Sequence, residues 1–225
     1  MFDAIAPEYD RLNHILSLHI DKIWRKKAVK SITAGIQAPN ILDVASGTGD
    51  FAIAIARSAG PGSKITGIDI SEGMLAVGRE KVERLGLSGT IVLEQGDCEN
   101  IPYAEGSFDR VSVAFGIRNF ENMDKGLSEM FRVLRRGGTL TVLELSEPGN
   151  RFVRWLYRVY FLNILPRIGG FVSGNRGAYE YLPASVRNFP KPDAFMEKME
   201  SAGFSGIRHE SLTFGICRMY TGQKR

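Results

Sequence analysis

The sequence predicts a doubly wound α/β fold, with a mostly parallel sheet, helices on both faces and an antiparallel hairpin at the C-terminal end. Over residues 40–145, short apolar segments alternate with segments of helix length, the pattern of parallel strands joined by crossover helices. A glycine-rich turn follows the first apolar segment. Residues 204–223 contain two further strand-like segments with no helix between them, so we expect them to pair in antiparallel fashion. A chain of 225 residues suits a single domain, residues 1–225.

Each element is predicted from its local pattern. Segments rich in β-branched and other apolar residues predict β-strands at 40–45, 64–70, 90–95, 108–115 and 139–145. Helices are predicted between them at 51–58, 72–85 and 122–135. The two strands of residues 204–223 are separated near Gly215. The run Arg136-Gly137-Gly138 is typical of a helix C-cap and turn.

Two segments extend this domain. Residues from about 1 to 35 are predicted to form a helical lid, and residues from about 147 to 192 an insertion on the substrate side of the sheet. Within the insertion, Arg151, Arg154 and Arg158 share one stripe of an amphipathic helix, with aromatic and aliphatic residues opposite. This pattern is typical of a membrane interface. A helix packed on the domain core shows the same pattern, so both interpretations stay open.

The overall composition is that of an ordinary globular protein. Hydrophobic residues make up 44% of the chain and charged residues 24%. No apolar run is long enough to span a bilayer, and the N-terminus lacks the pattern of a secretion signal. Cys98 and Cys217 are the only cysteines and lie far apart, so we expect neither a metal site nor a disulfide framework. These features predict a cytoplasmic protein.

The formal net charge of +4 raises the question of an anionic partner. The basic residues are spread along the chain, and the densest group, within residues 25–30, lies on a predicted helix. A solvated helix face explains this group best, and attraction to an anionic membrane surface comes second. Nucleic acid is the least favoured partner, because its binding proteins concentrate basic residues on one face.

The segment around Gly47-Thr48-Gly49 indicates a nucleoside-cofactor site. A strand ends there, two glycines permit a tight turn close to a ligand, and a helix begins. Asp69 follows twenty residues after Gly49, at the end of the second strand, where it can accept hydrogen bonds from ribose hydroxyls. Ala52 also completes the looser dinucleotide pattern, so an NAD-dependent enzyme is a rival interpretation.

Carboxylates near this turn favour S-adenosylmethionine over NAD. Asp43 interrupts an apolar strand beneath the turn, and a buried carboxylate there suits a cationic ligand. S-adenosylmethionine carries an ammonium and a sulfonium, whereas the pyrophosphate of NAD would be repelled by Asp43 and Asp50. Asp97 and Cys98 end the third strand, where the carboxylate can accept the adenine amino group.

Several motifs resemble known methyltransferases. The ordered segments LDVASGTGD, GIDIS, QGDCENIPY, GSFD and VLRRGGTL are similar to those of class I S-adenosylmethionine-dependent methyltransferases. The segments FDAIAPEYDRLNHILSLHIDKIWR, AFGIRNF, LELSEP and YEYLPASVRNFP resemble the menaquinone and ubiquinone C-methyltransferases, and the likeness covers nearly the whole chain. The resemblance implies a Rossmann-like class I methyltransferase fold with a mostly parallel seven-stranded sheet, and methyl transfer to a ring carbon of a polyprenylated hydroquinone.

The resemblance also implies site residues. Cofactor contacts fall on Thr48, Asp69 and the pair Asp97-Cys98. The chain departs from the family pattern at Ser46, at Cys98 and at Ala114, and Ala114 cannot donate the hydroxyl hydrogen bond of the serine found there in many members. Tyr179, Tyr181 and Arg187 are expected to line the pocket for the quinol head group.

Arg118 and Asn119 are the predicted catalytic residues. They follow the fourth strand, at the end of the sheet where ligands bind in doubly wound folds. Phenols have a pKa near 10, so methylation of a quinol ring requires the enzyme to remove a phenolic proton or stabilise the phenolate. Arg118 stays protonated and is expected to do the second, while Asn119 orients the hydroxyl. A surface ion pair for Arg118 and a helix N-cap for Asn119 are the alternatives.

The acceptor is less well determined than the cofactor. A quinol C-methyltransferase is favoured, ahead of a methyltransferase for another small aromatic or lipid acceptor and of a non-enzymatic binding protein. Naphthoquinol, benzoquinol or both remain open as substrates. We further expect transient contact with the inner face of the cell membrane, and a homodimer through the insertion stays an alternative.

Overall fold

The computed structural model describes Asp10, His14 and residues 17–160 and 183–225. Seven strands form one sheet in the order β3-β2-β1-β4-β5-β7-β6, and β7 runs antiparallel to both of its neighbours. The strands are β1 (Asn40–Val44), β2 (Lys64–Asp69), β3 (Ile91–Gln95), β4 (Phe108–Ala114), β5 (Leu134–Leu145), β6 (Ser205–Leu212) and β7 (Cys217–Gln223). The mostly parallel sheet with a closing antiparallel pair confirms the predicted fold class.

Helices cover both faces of this sheet. They are α1 (Ile20–Thr33), α2 (Asp50–Ala56), α3 (Glu72–Arg84), α4 (Met123–Val133), α5 (Arg151–Val159) and α6 (Pro192–Ser201). Two short 3₁₀ turns span Ile117–Asn119 and Thr213–Gly215, and residues 183–188 are also helical. One hydrophobic core includes Trp24 and Ile32 of α1 and Phe51 of α2, and the other includes Leu127 of α4 and Phe195 of α6.

The central strands set the position of the site. β1 pairs in parallel with β2 on one side and with β4 on the other, so its Ile41, Leu42 and Val44 are fully buried. Strand order therefore reverses between β1 and β4. In open α/β sheets this reversal leaves a crevice at the carboxyl ends of the strands, where ligands bind.

One local prediction is wrong. Arg136-Gly137-Gly138 do not cap a helix, because α4 ends at Val133 and the chain enters β5 at the next residue. The β4–β5 ladder shifts register between Phe108 and Arg110, which accommodates the extra residues as a bulge. Pairing with the C-terminus explains the difference, since the Gly137 amide donates to the Lys224 carbonyl at 2.7 Å and the Lys224 amide to the Gly138 carbonyl at 3.0 Å.

The two extensions are described in part. The structure describes α1 of the predicted lid and α5 of the predicted insertion, whereas residues 1–9, 11–13, 15–16 and 161–182 lie outside the described residues. Among the helices of the described part, none is long and apolar enough to cross a membrane. The hairpin break predicted near Gly215 is confirmed by the 3₁₀ turn that separates β6 from β7.

Candidate active site

A cavity of about 880 Å³ opens at the carboxyl ends of the central strands. One end of it is formed by the glycine turn after β1 and by the residues that follow β2 and β3. The other end is formed by the loop after β4, by α5 and by the turn between β6 and β7. This cavity thus lies in the crevice that the reversal of strand order leaves between β1 and β4.

Backbone geometry at the first end requires glycine. Gly47 and Gly49 have φ values of 58° and 74°, in the left-handed region that side chains disfavour. The Gly47 amide donates to Asp69 Oδ2 at 2.8 Å, and the Ser71 amide donates to Asp69 Oδ1 at 2.9 Å. Asp69 therefore joins the glycine turn to the end of β2 and directs its carboxylate into the cavity wall.

Asp43 lies beneath this turn with 1% of its surface exposed. Its two carboxylate oxygens accept hydrogen bonds from the Ser46 and Ser112 hydroxyls, each at 2.8 Å. Burial raises the pKa of Asp43 to about 6, and the two serine bonds oppose that rise. Asp43 and Asp69 together make this end of the cavity acidic.

The turn is also held from the side of α3. A Cβ placed on Gly78 would lie 2.6 Å from Leu93 Cδ1 and about 3 Å from the backbone of Thr48. Only glycine permits this approach of helix to turn. α3 begins at a capping interaction, in which the Ser71 hydroxyl accepts from the Met74 amide at 3.3 Å.

An ion-pair network joins the N-terminal segment to the glycine turn. Asp10 accepts from the Thr48 hydroxyl at 2.5 Å and from Lys81 Nζ at 2.6 Å, and the same Lys81 lies 2.6 Å from Asp50. His14 continues the network, with Nε2 3.3 Å from Asp50 and Nδ1 2.7 Å from Asp21. Burial alone would raise the pKa of Asp50, but Lys81 and its other basic neighbours lower it overall.

The residues that follow β3 contribute to the same end of the cavity. Asp97 and Cys98 both line the cavity after β3, and the Asp97 carboxylate accepts from the Glu99 amide at 2.8 Å. Burial, reinforced by Asp97 and Glu99, raises the pKa of the Cys98 thiol to about 12. The thiol stays protonated and unreactive near neutral pH.

The charge of the lining bears on the cofactor. Among the described residues of the cavity wall, two are basic and eight are acidic; the acidic ones are Asp10, Asp21, Asp43, Asp50, Asp69, Asp97, Glu99 and Glu121. An acid-rich wall suits a ligand with positive charge and disfavours a pyrophosphate. The residues present therefore fit S-adenosylmethionine.

Arg118 lies in the 3₁₀ turn after β4 and is held by a buried ion pair. Its Nη1 donates to Glu144 Oε1 at 2.5 Å and to the Phe115 carbonyl at 2.6 Å, and its Nε donates to the Ser185 hydroxyl at 3.3 Å. The side chain is 8% exposed and that of Glu144 is fully buried. Arg118 and Asn119 both line the cavity. The ion-pair alternative for Arg118 is thus correct about the pairing but not about a surface position.

The sequence places Glu144 at the end of the fifth predicted strand, pointing toward the same crevice, but does not predict that it pairs with Arg118. It lies one residue before the end of β5, and the segment TLTVLEL carried its signal, an acid inside an otherwise apolar strand. That same signal identified Asp43.

The far end of the cavity is apolar and aromatic. Described lining residues there are Phe115, Leu145, Phe152, Val153, Leu156, Tyr157, Tyr160, Phe214 and Ile216. Tyr157 is the buried residue of α5, and burial raises the pKa of its phenol. Tyr179 and Tyr181 lie outside the described residues. Arg187 is exposed and absent from the described cavity wall, although Ser185, two residues earlier, contacts Arg118.

The fold is that of class I S-adenosylmethionine-dependent methyltransferases. A possible histamine N-methyltransferase from Thermotoga maritima superposes with a TM-score of 0.68 at 19% identity, covering 100% of this chain and 98% of its own. The [4+2]-cyclase SpnF superposes with a TM-score of 0.73, also at 19% identity, covering 100% and 94%. At these identities the likeness shows the fold alone.

Sequence comparison identifies the family. The model described as the ubiE/COQ5 methyltransferase family matches residues 1–224, and the chain belongs to this family. The demethylmenaquinone methyltransferase of Bacteroides fragilis is 46% identical over all of this chain and 91% of its own length. That of Thermus thermophilus is 45% identical over the full length of both. The ubiquinone/menaquinone biosynthesis C-methyltransferase UbiE of Geobacter sulfurreducens is 48% identical, covering 87% of its own length. The chain is a methyltransferase.

Proposed function

We propose that this enzyme transfers the methyl group of S-adenosylmethionine to a ring carbon of a polyprenylated hydroquinone. Demethylmenaquinol is the favoured acceptor, and the methoxy-polyprenyl-benzoquinol of ubiquinone biosynthesis is the second. The observation that carries the proposal is a single cavity whose acidic end meets the Arg118–Glu144 pair and then an aromatic, apolar end. A cationic methyl donor and an uncharged ring with an isoprenoid tail match those two ends. The names of the relatives support the same acceptor.

The acidic end would hold the cofactor. Gly47, Thr48 and Gly49 let the ligand approach the backbone, and Asp69 would accept hydrogen bonds from the ribose. Asp43 would compensate the ligand's positive charge from below, and Asp97 with Cys98 would border adenine. When bound, S-adenosylmethionine supplies an electrophilic methyl group on a positively charged sulfur.

Arg118 and Asn119 would act on the acceptor. A quinone ring is electrophilic, so the ring that accepts the methyl group must be the reduced quinol, and loss of its phenolic proton makes the carbon ortho to that oxygen nucleophilic. The Arg118 guanidinium stays protonated and would stabilise the developing phenolate by hydrogen bonding. Asn119 would orient the hydroxyl, and water or another group would take the proton. Tyr179, Tyr181 and Arg187 stay predictions for the pocket of the ring.

The cavity mouth would face the membrane that holds the isoprenoid tail. Phe152 and Trp155 of α5 are 67% and 59% exposed, and Phe214, which lines the cavity as Phe152 does, is 78% exposed. The arginines of α5 flank them. We assign this rim to transient contact with an anionic bilayer, and the segment of residues 1–35 to a lid over the cofactor, because Asp10 already bonds Thr48 of the turn.

The proposal is tested by quinone extraction. The gene is expressed in a bacterial strain that lacks its own demethylmenaquinone methyltransferase and therefore accumulates the demethylated quinone. The proposal predicts that the methylated quinone is restored, and that an Arg118→Ala variant restores far less. If the wild-type chain is produced in soluble form and the quinone stays demethylated, the assigned acceptor is wrong.

A further inference from the structure

Glu144 is the one acidic side chain in contact with the predicted catalytic guanidinium in the described part of the chain. Its Oε1 accepts from Arg118 Nη1 at 2.5 Å and from the Leu145 amide at 2.8 Å, and its Oε2 lies 3.3 Å from the Arg118 amide. Glu144 therefore holds both the side chain and the backbone of Arg118. Both of its oxygens are engaged and its surface is fully buried.

The Glu144 carboxylate offsets the positive charge of Arg118 at the acceptor end of the cavity. An isolated guanidinium beside an aromatic pocket would bind carboxylates in a bidentate fork. Here the guanidinium already donates to a carboxylate of the protein. Arg218 lies opposite Glu144 on β7, and its Nη1 donates to the Ser211 hydroxyl at 2.7 Å.

The remainder of the cavity disfavours anions as well. Besides Arg118, the described residues of its wall include only one other basic residue, Arg25, which lies 3.4 Å from the buried Asp21. An acceptor with a carboxylate would thus meet an acid-rich cavity with no uncompensated cation in the described wall. An uncharged hydroquinone meets no such penalty.

We infer that Glu144 determines acceptor specificity: by compensating the charge of Arg118, it makes the site select uncharged aromatic acceptors and reject aromatic carboxylates. The inference rests on the proposed function for the identity of the acceptor. Glu144 acts through Arg118 and is a positioning residue for it.

Two probes of equal shape and different charge test this inference. 1-Hydroxy-2-naphthoate carries the anion, and 1-hydroxy-2-naphthamide is its uncharged counterpart. Their binding to the protein saturated with S-adenosylhomocysteine is measured by calorimetry at constant ionic strength, so no turnover is needed. For Glu144→Gln we expect the affinity for the acid to rise about tenfold, while the affinity for the amide stays within about twofold, because one opposing charge is removed close to the ligand. The matched control Glu210→Gln changes an exposed carboxylate of β6 that pairs with Lys27 and does not line the cavity, and it should change neither affinity.

The reciprocal substitution, at Arg118, should lower the ratio of the affinity for the acid to the affinity for the amide. Arg118→Gln leaves Glu144 without its cation, so the acid should bind even more weakly relative to the amide than in the wild type. The double variant Arg118→Gln/Glu144→Gln replaces the ion pair by a neutral pair and should return the ratio towards the wild-type value. If Glu144→Gln alone does not fold, the double variant still tests the inference. Its acid-to-amide affinity ratio is then compared with that of Arg118→Gln.

Three results would overturn the inference. Glu144→Gln could leave the acid-to-amide ratio unchanged, it could raise both affinities equally, which would indicate a change of shape, or Glu210→Gln could give the same gain. A wrong assignment of the proposed function would give a different result. In that case the binding ratios move as expected while no quinol is methylated.

Discussion

Asp43 illustrates how burial sets the charge of a single residue. Its folded-state pKa of about 6 lies above the ordinary value of 3.8, because burial penalises the carboxylate more than two serine hydroxyls can compensate. Between these two values the folded state binds more protons than the unfolded state. The contribution of Asp43 to stability therefore falls as pH rises from about 4 to 6, and the penalty is fully present above that range.

This behaviour predicts a pH-dependent difference between the wild type and Asp43→Asn without cofactor. The free energy of unfolding of the variant minus that of the wild type should rise by about 2 to 3 kcal/mol between pH 4 and pH 7. Denaturant titrations across this range measure it, and the constant effect of the substitution cancels in the difference. A flat difference would show that Asp43 titrates near its ordinary value.

The Arg118→Lys variant distinguishes the hydrogen-bonding geometry of Arg118 from its positive charge. Lysine keeps the positive charge beside Glu144 but lacks the planar fork of donors. We expect kcat to fall about 10- to 100-fold, with the dissociation constant for S-adenosylmethionine unchanged within about twofold. Arg208→Ala, at an exposed arginine of β6, is the control and should leave both quantities unchanged. Unaltered kcat in Arg118→Lys would remove Arg118 from the catalytic residues.

At the residue scale, the sequence identified the acidic end of the site better than the acceptor end. Asp43 and Asp69 were predictable because each follows a recognisable position in a strand–turn–helix unit. The partner of Arg118 was not, because Glu144 comes from β5 and the two residues meet only through the parallel pairing of β4 and β5. Contacts between distant segments leave no local pattern in one sequence.

Among the elements, α3 and the glycine turn form one packed unit. Gly78→Ala would gain helix propensity, but its Cβ would press on Leu93 and on the backbone of Thr48. We expect a loss of about 1 to 3 kcal/mol in the free energy of unfolding and a weaker affinity for S-adenosylmethionine. Gly89→Ala, where a Cβ meets open space, should change neither property. Denaturation and calorimetry of the two variants give the comparison, and an unchanged Gly78→Ala would contradict the packing argument.

Element boundaries show which forces act locally. The predicted strand and helix ranges of residues 40–133 agree with the structure within two residues, because apolar periodicity and caps such as Ser71 and Asn122 determine them. The structure of Arg136-Gly137-Gly138 is instead determined by a contact with a distant part of the chain. The turn-like composition of this run was overridden by hydrogen bonds to Lys224 at the far end of the chain.

At the scale of the whole molecule, the exposed aromatic rim of the cavity predicts membrane binding. Phe152→Ser/Trp155→Ser should lower the bound fraction about tenfold on phosphatidylglycerol vesicles at low salt, while leaving the thermal stability unchanged because both side chains are exposed. Val92→Ser is the control, since Val92 is 55% exposed on β3, at the other end of the sheet order from the hairpin. If the wild type ignores such vesicles with and without quinol, the rim has another role.

Methyl transfer to a ring carbon of a reduced quinol is tested most directly by one labelling experiment. The purified enzyme is incubated with S-adenosylmethionine carrying an isotopically labelled methyl group and with a short-chain demethylated naphthoquinol kept reduced, and the product is examined by NMR. We predict a labelled methyl group on the ring carbon in proportion to the S-adenosylhomocysteine formed, and no transfer to the oxidised quinone. Label on a phenolic oxygen, or no transfer to the reduced ring by a folded enzyme that binds the cofactor, would contradict the account.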